Sequence, residues 1–174
     1  MKRSLLTLGL SCLLAMPMAQ ARSIPDPHQK HAPGNEAEQT PIAQAGYSNA
    51  TNYQLQCAGC HLSDGAGSKS NDVPRMLGFV GNFLKVDGGR QFLVRVPGMS
   101  MSALSDAQLA DMLNWLLRED GMAGKSMPAD YKPYTAEEVA GIRHETMLNL
   151  PGTRAQLIAA MRRQGIAIDD GMGD

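Results

Sequence analysis

The most regular hydrophobic pattern of the chain lies between residues 106 and 119, where apolar side chains recur every three or four positions. The recurring residues are Leu109, Met112, Leu113, Leu116 and Leu117. This period places them on one side of a helix, with Trp115 at the edge. The opposite side carries Asp111, Asn114 and Arg118. Ser105 is a favourable N-cap and Gly121 follows the end, so the pattern predicts an amphipathic helix over residues 106–119.

Four further helices are predicted from weaker apolar patterns and from capping residues. They cover residues 47–58, 90–96, 135–149 and 153–164. Tyr53 and Leu55 are the expected apolar anchors of the first helix. The segment TAEE, which begins at Thr135, is a capping box that opens the third. No segment shows a convincing strand alternation, so the expected fold is all-α.

The first 21 residues have the pattern of a cleaved export signal. Lys2 and Arg3 precede an apolar stretch over residues 5–18, and residues 19–21 (AQA) form a small-residue cleavage site. The apolar stretch is too short for a membrane anchor, so no membrane span is expected after cleavage. Apolar residues continue past Cys12, which argues against a lipoprotein signal at that cysteine. Export of this kind predicts a periplasmic protein.

The remaining chain divides by composition into three parts. Residues 22–45 are rich in Pro, Gln, Ala and charge without an apolar period, and are expected to form a disordered linker. Residues 46–120 contain the strongest helix and form the expected main domain, and residues 121–174 add a helical C-terminal extension. The acidic, Gly-rich tail over residues 169–174 is expected to be frayed.

Composition adds three constraints. The 174 residues carry a formal net charge of −1, which gives no reason to expect a nucleic-acid partner. Aromatic residues make up only 5%, so a large planar cofactor could supply the core area that Phe and Trp usually supply. The predicted mature chain holds two cysteines, Cys57 and Cys60, and export makes a disulfide between them a possibility to be weighed.

Both cysteines belong to the segment CAGCH, which ends at His61 and has the C-x-x-C-H pattern of c-type haem attachment. On a helical turn, two intervening residues let both sulfurs form thioethers with the two vinyl groups of one haem. The following imidazole then faces the iron. A redox-active dithiol usually follows a strand, and none is predicted before Cys57. A zinc site would need further ligands at suitable spacing, which His28, His31 and His144 do not provide. The motif predicts one covalent haem c per chain.

Residues 46–120 resemble a monohaem class I cytochrome c. The segment with Tyr53 four residues before the first haem cysteine resembles the entry helix of that family. Gly65 and Gly67 resemble the Gly-rich loop that follows the haem histidine. The segment LSDAQLADMLNWLL resembles the family's C-terminal helix, which crosses the first helix and closes the haem pocket. The resemblance implies that the carbonyl of Pro74 accepts a hydrogen bond from the axial His61, which fixes the tautomer of the imidazole.

The resemblance also implies a Met ligand on the loop before the last helix, where VPGMSMSALSD contains Met99 and Met101. Met99 lies five residues before Leu104, the spacing of short family members, and is therefore the expected sixth ligand. Ser100 stands where the family commonly has a proline after the ligand. Met101, Met76 and His144 stay open as candidates for the same position.

Four further residues have two interpretations each. Arg90 and Arg95 either pair with haem propionates, because guanidinium groups match carboxylates, or lie on the solvated surface. Phe92 and Trp115 either pack near the haem or belong to the ordinary core.

No nucleophile–base pair or pocket of placed acids and bases is evident, so an enzyme is not expected. A haem with both axial positions filled can change its oxidation state and so carry one electron. Together with the export signal, this predicts a periplasmic electron-transfer protein with His/Met ligation of the haem. Its expected partners are a periplasmic dehydrogenase as donor and an oxidase or another cytochrome as acceptor. A second hypothesis is a dedicated subunit of such an enzyme complex, which would explain the extension. A third is a haem-based ligand-binding sensor, which requires a missing or labile sixth ligand.

Overall fold

The fold is seen in a computed structural model that describes residue 43, residues 46–145 and residues 147–172. Residues 1–42, which include the expected signal peptide and most of the expected linker, lie outside the described residues. Within the described ranges there are seven α-helices and no strand, only two isolated bridge pairs, which confirms the all-α prediction. None of these helices is long and apolar enough to cross a lipid bilayer.

The described helices follow one another with the bounds that the backbone hydrogen bonds define. They are α1 (Asn49–Gln56), α2 (Ala58–His61), α3 (Gly89–Arg95), α4 (Pro97–Ser100), α5 (Asp106–Leu116), α6 (Ala136–Ile142) and α7 (Leu150–Arg163). All five predicted helices are confirmed with shifted ends, and the single turns α2 and α4 were not predicted. Short 3₁₀ segments at 69–71, 80–85 and 124–126 connect them.

Helix α5 is the central element, as its apolar period predicts. Ser105 Oγ accepts a hydrogen bond from Gln108 N, and the Gln108 side chain bonds back to Ser105 N, which forms a complete capping box. The five residues of the predicted apolar side are all buried. The helix ends at Leu116, before the predicted residue 119, because Leu117 leaves helical backbone geometry while its side chain stays 1% exposed.

Helices α1 and α5 pack against each other, in keeping with the contact that the resemblance implied. The rings of Tyr53 and Trp115 lie 6.0 Å apart between centroids, and Asn49 Nδ2 donates to the carbonyl of Asp111 at 3.3 Å. Tyr53 is fully buried, as predicted, whereas Leu55 is 48% exposed, so the prediction for Leu55 was wrong. Two residues further along a helix turn the side chain to the other side, so the two cannot share one buried face.

The C-terminal extension packs against the polar side of α5. Asn114 Nδ2 donates to the carbonyl of Tyr134 at 3.0 Å, while its Oδ1 accepts from Tyr134 N at 2.8 Å and from Tyr131 Oη at 2.7 Å. Helix α6 ends at Ile142 and not near residue 149. Asn149 instead caps α7 by accepting from Gly152 N at 2.9 Å. Asn114 on the polar side of α5 thus anchors the extension.

Arg90 holds the extension, and its contacts argue against its interpretation as a haem propionate partner. Its guanidinium forms a two-pronged ion pair with Glu138, with distances of 2.5 and 2.7 Å. It also donates to the carbonyls of Lys132 and Pro133 and lies 3.8 Å from the centroid of the Tyr134 ring. A planar cation fits these acceptors and this ring simultaneously, so the whole guanidinium faces the extension.

Replacing Arg90 by Gln is expected to lower the free energy of unfolding by about 2 kcal/mol, because Glu138 and two carbonyls lose a charged donor. Urea unfolding of the purified variant measures this change. Arg118→Gln is the matched control, since its ion pair with Asp120 is exposed and is expected to contribute little. Equal losses from the two variants would contradict the assigned role of Arg90.

The described part of the acidic tail, residues 169–172, is docked, so the expectation of a frayed tail was wrong there. Asp169 pairs with Arg75 at 2.9 Å, and Arg75 N donates to the carbonyl of Gly171 at 2.8 Å. Gly171 has φ +66°, and any Cβ at this position would lie 2.5 Å from the Phe79 ring. The glycine that suggested disorder instead allows close contact with the core.

Candidate haem site

The two cysteines lie where α1 passes into α2. Cys57 joins the two helices and is half-buried, and Cys60 is exposed on the single turn of α2. Both are free thiols, so the structure contains no disulfide between them. Burial, and then the neighbouring Cys60, raises the pKa of the Cys57 thiol to about 11. Redox-active C-x-x-C sites depend on a lowered thiol pKa, so this environment disfavours a redox-active dithiol.

His61, the last residue of α2, is oriented by Pro74. Its Nδ1 lies 3.1 Å from the Pro74 carbonyl oxygen, which can only accept, so Nδ1 carries the proton. Burial lowers the pKa of the His61 imidazole, and the hydrogen bond to Pro74 opposes this effect in part. The ring is therefore neutral at neutral pH, and Nε2 keeps a lone pair for a metal. The structure thus brings together His61 and Pro74 as the resemblance implied.

The loop that carries Pro74 folds back on the motif through Gly67. Gly67 N donates to the His61 carbonyl at 3.2 Å, and a Cβ on Gly67 would lie 2.7 Å from the Pro74 oxygen. Its φ of +74° also favours glycine. A bridge between Ser68 and Val73 closes the intervening turn. Gly67 is needed here because only a residue without a side chain lets the two backbone segments approach so closely.

Leu62, directly after His61, has an unusual backbone conformation that Tyr53 supports. Its φ of 65° and ψ of 167° lie in a region that is almost restricted to glycine. The carbonyl of Leu62 accepts a hydrogen bond from Tyr53 Oη at 2.6 Å. Burial raises the pKa of the Tyr53 phenol to about 12, so the hydroxyl keeps its proton and acts as the donor. Tyr53 therefore holds the turn through which the chain leaves the motif.

Tyr53→Phe is expected to lower the free energy of unfolding by about 1–2 kcal/mol, because the Leu62 carbonyl loses its donor while the ring packing remains. Thermal or urea unfolding measures the effect. Tyr47→Phe is the matched control, since Tyr47 is 39% exposed. A Tyr53→Phe protein as stable as its parent would show that this hydrogen bond does not hold the turn.

The two methionines of the loop before α5 differ sharply in burial. Met99, within the single turn α4, is 7% exposed, whereas Met101 is 83% exposed. The loop also lies against the motif end of α1, since Ser102 Oγ donates to Gln56 Oε1 at 3.4 Å. Of the two candidates outside this loop, His144 is exposed and Met76 is half-buried. The burial pattern favours Met99, because a thioether ligand has to be protected from water to remain bound to iron.

Three of the residues with two interpretations pack within the protein core or at its edge. Phe92 stacks on Phe83 with 4.9 Å between ring centroids, which is core packing, and Trp115 is half-buried against Tyr53. Arg95 forms an ion pair of 3.7 Å with Glu145 of the extension. One further residue, Arg143, enters the loop of Met99 from the extension and was not identified from sequence, because a lone arginine within a predicted helix carries no distinctive signal.

The donor set fits a covalently bound haem. Two free thiols are separated by two intervening residues, a neutral imidazole follows with Nε2 available, and a buried thioether lies on a loop that contacts the motif end of α1. Sulfur and imidazole are the ligands that c-type haem uses. The chemistry of the residues present therefore fits the group.

Comparison with known proteins shows that this helical chain belongs to the monohaem c-type cytochromes. No family model matches it. One Cytochrome c-552 of Thermus thermophilus is 31% identical over 143 residues, which cover 72% of this chain and 89% of the relative. A second Cytochrome c-552 of the same species is 31% identical over 129 residues, covering 64% of this chain and 92% of the relative. Members of the family carry covalent haem c and are electron carriers and not enzymes.

Proposed function

We propose that this protein carries single electrons in the periplasm on a haem c held by Cys57 and Cys60, with His61 and Met99 as axial ligands. The observation that supports this most strongly is the hydrogen bond between His61 Nδ1 and the Pro74 carbonyl. It leaves Nε2 as the free ring nitrogen and strengthens the imidazole as a ligand. The burial of Met99 and the exposure of Met101 support the choice of sixth ligand.

Each residue of the site has a defined task in this proposal. The thiols of Cys57 and Cys60 attach the haem, so the cofactor cannot dissociate. The haem supplies an iron that alternates between two oxidation states. Met99 provides a soft thioether that favours the ferrous state and raises the reduction potential. Tyr53 and Gly67 keep the chain around His61 in place, so that the ligands move little when the charge changes.

The cellular role proposed here follows from the N-terminal pattern and the family. Residues 1–21 act as a cleaved signal, residues 22–45 as a linker, and the mature protein works in the periplasm. A dehydrogenase is the proposed electron donor, and an oxidase or another cytochrome is the proposed acceptor. Such redox encounters use small, weak interfaces, so the complexes are short-lived.

The packing of the extension favours a freely diffusing carrier over a dedicated enzyme subunit. Asn114 and Arg90 use their hydrogen bonds to hold the extension against the main domain of the same chain. This internal docking accounts for the extension without a partner enzyme. Stable co-elution of the native protein with an enzyme on gel filtration would instead support a dedicated subunit.

A redox titration combined with carbon monoxide addition tests the proposed function. The expected result is a reversible one-electron transition and a reduced spectrum that does not change when the gas is added, because both axial positions are filled. A rapid spectral shift with carbon monoxide would instead indicate a labile sixth ligand and a sensor.

A further inference from the structure

Arg143, at the C-terminal end of α6, inserts a buried cation into the loop that carries Met99. The residue is 6% exposed. Its Nη2 donates to the Ser102 carbonyl at 2.8 Å and lies 3.5 Å from the Met99 carbonyl. Its Nη1 donates to the Leu104 carbonyl at 3.0 Å and to Asp106 Oδ1 at 2.9 Å. One side chain of the extension therefore contacts the backbone along the whole loop between α4 and α5.

This loop needs such a partner because its own hydrogen bonds are few and local. Helix α4 is a single turn, so its last carbonyls have no helical partner. Met99 N donates to the Val96 carbonyl, Ser102 N donates to the Met99 carbonyl, and Leu104 N donates to Ser102 Oγ. Each of these hydrogen bonds closes only a short turn. Within the described residues, the remaining side-chain link of Ser102 is its 3.4 Å contact with Gln56.

The charge of Arg143 is compensated at the same place. Its positive group lies beside the carbonyl oxygens of Met99 and Ser102 at the C-terminal end of α4, and these oxygens carry partial negative charge. Asp106 lies in the first turn of α5, where the helix dipole favours an anion, and forms the ion pair with Arg143. The rigid fork of guanidinium donors suits several acceptors at once, which the ammonium of lysine does not match.

We propose that Arg143 is a positioning residue for the sixth ligand: by fixing the loop from Met99 to Asp106, it keeps the Met99 thioether available to the iron. This inference rests on the proposed His61/Met99 ligation. It gives the C-terminal extension a role in the haem chemistry, because docking of α6 and ligation by Met99 are coupled through one side chain. A loosened loop exchanges Met99 for an external ligand more readily.

The test compares Arg143→Gln, Arg143→Lys and Arg90→Gln in the full-length haem protein. The readouts are the weak far-red absorption band of Met-ligated ferric haem and the affinity of the ferric protein for imidazole, which must displace Met99. Arg143→Gln is expected to weaken the band and to tighten imidazole binding about tenfold, since three loop carbonyls lose their donor. Arg143→Lys keeps the positive charge but lacks the planar set of guanidinium donors. Its band intensity and imidazole affinity are expected to lie between those of Arg143→Gln and those of the parent.

Arg90→Gln separates positioning from general loosening of the extension. Arg90 holds the same extension through Glu138, and its hydrogen bonds go to residues 132, 133 and 138, away from the Met99 loop. The variant is expected to destabilise the protein and yet keep the parent band and imidazole affinity. If Arg143→Gln had the band and the imidazole affinity of the parent, or if Arg90→Gln changed them equally, the inference about Arg143 would be wrong. The proposed His61/Met99 ligation would not be affected by either result. A parent protein without the far-red band would overturn the proposed ligation and this inference with it.

Discussion

Replacing His61 by Ala is expected to abolish the native low-spin haem spectrum or to prevent maturation of the haem protein. No other residue offers an imidazole directly after the two cysteines. The Pro74 carbonyl would also lose its partner, so the loop around Gly67 would lose one of its fixed points. The measurement is the absorption spectrum of the purified variant in both oxidation states, together with its yield.

His144→Ala is the matched control for this prediction. His144 is exposed at the end of α6, so its removal is expected to leave the spectrum and the yield of the parent. If His61→Ala kept the parent spectrum, or if His144→Ala lost it, the assignment of the axial imidazole would be wrong.

Replacing Met99 by Ala is expected to remove the far-red band and to lower the reduction potential. The thioether favours ferrous iron, and axial ligands set haem potentials over a range of about 0.8 V. The vacant position would also accept carbon monoxide. Absorption spectroscopy and a redox titration of the same sample measure these three consequences.

Met101→Ala is the internal control, since it lies two residues away on the same loop and is 83% exposed. It is expected to keep the band, the potential and the resistance to carbon monoxide. The reverse pattern, with the band lost in Met101→Ala and kept in Met99→Ala, would show that Met101 is the ligand. Loss of the band in neither variant would direct attention to Met76, whereas absence of the band from the parent would direct it to His144.

The local features of the site were accessible from sequence because they depend on neighbouring residues. The spacing of Cys57, Cys60 and His61 defines a chemical unit within five positions. The apolar period of α5 identified its buried side correctly, since helix geometry determines which residues share a face. The interaction of His61 with Pro74 came only from the family resemblance, because no local rule relates residues thirteen positions apart.

The contacts of the extension could not be predicted because they join distant segments. Arg90 is a basic residue on a short helix, and nothing near it in sequence indicates Glu138, 48 positions away. Asn114 was correctly predicted on the polar side of α5, but the sequence did not indicate that its side chain is bonded to Tyr131 and Tyr134. The tail was predicted to be frayed from its acidic, Gly-rich composition. That composition gives no indication that Gly171 packs against Phe79.

The attachment of haem to Cys57 and Cys60 is tested most directly by the intact mass of the mature protein together with its absorption spectrum. We expect a mass equal to the polypeptide after removal of residues 1–21 plus one haem, with both thiols unreactive toward alkylation. We also expect a low-spin spectrum with the far-red band in the oxidised form. A colourless polypeptide with two reactive thiols or a disulfide, after production in a host that attaches haem c, would contradict covalent haem binding.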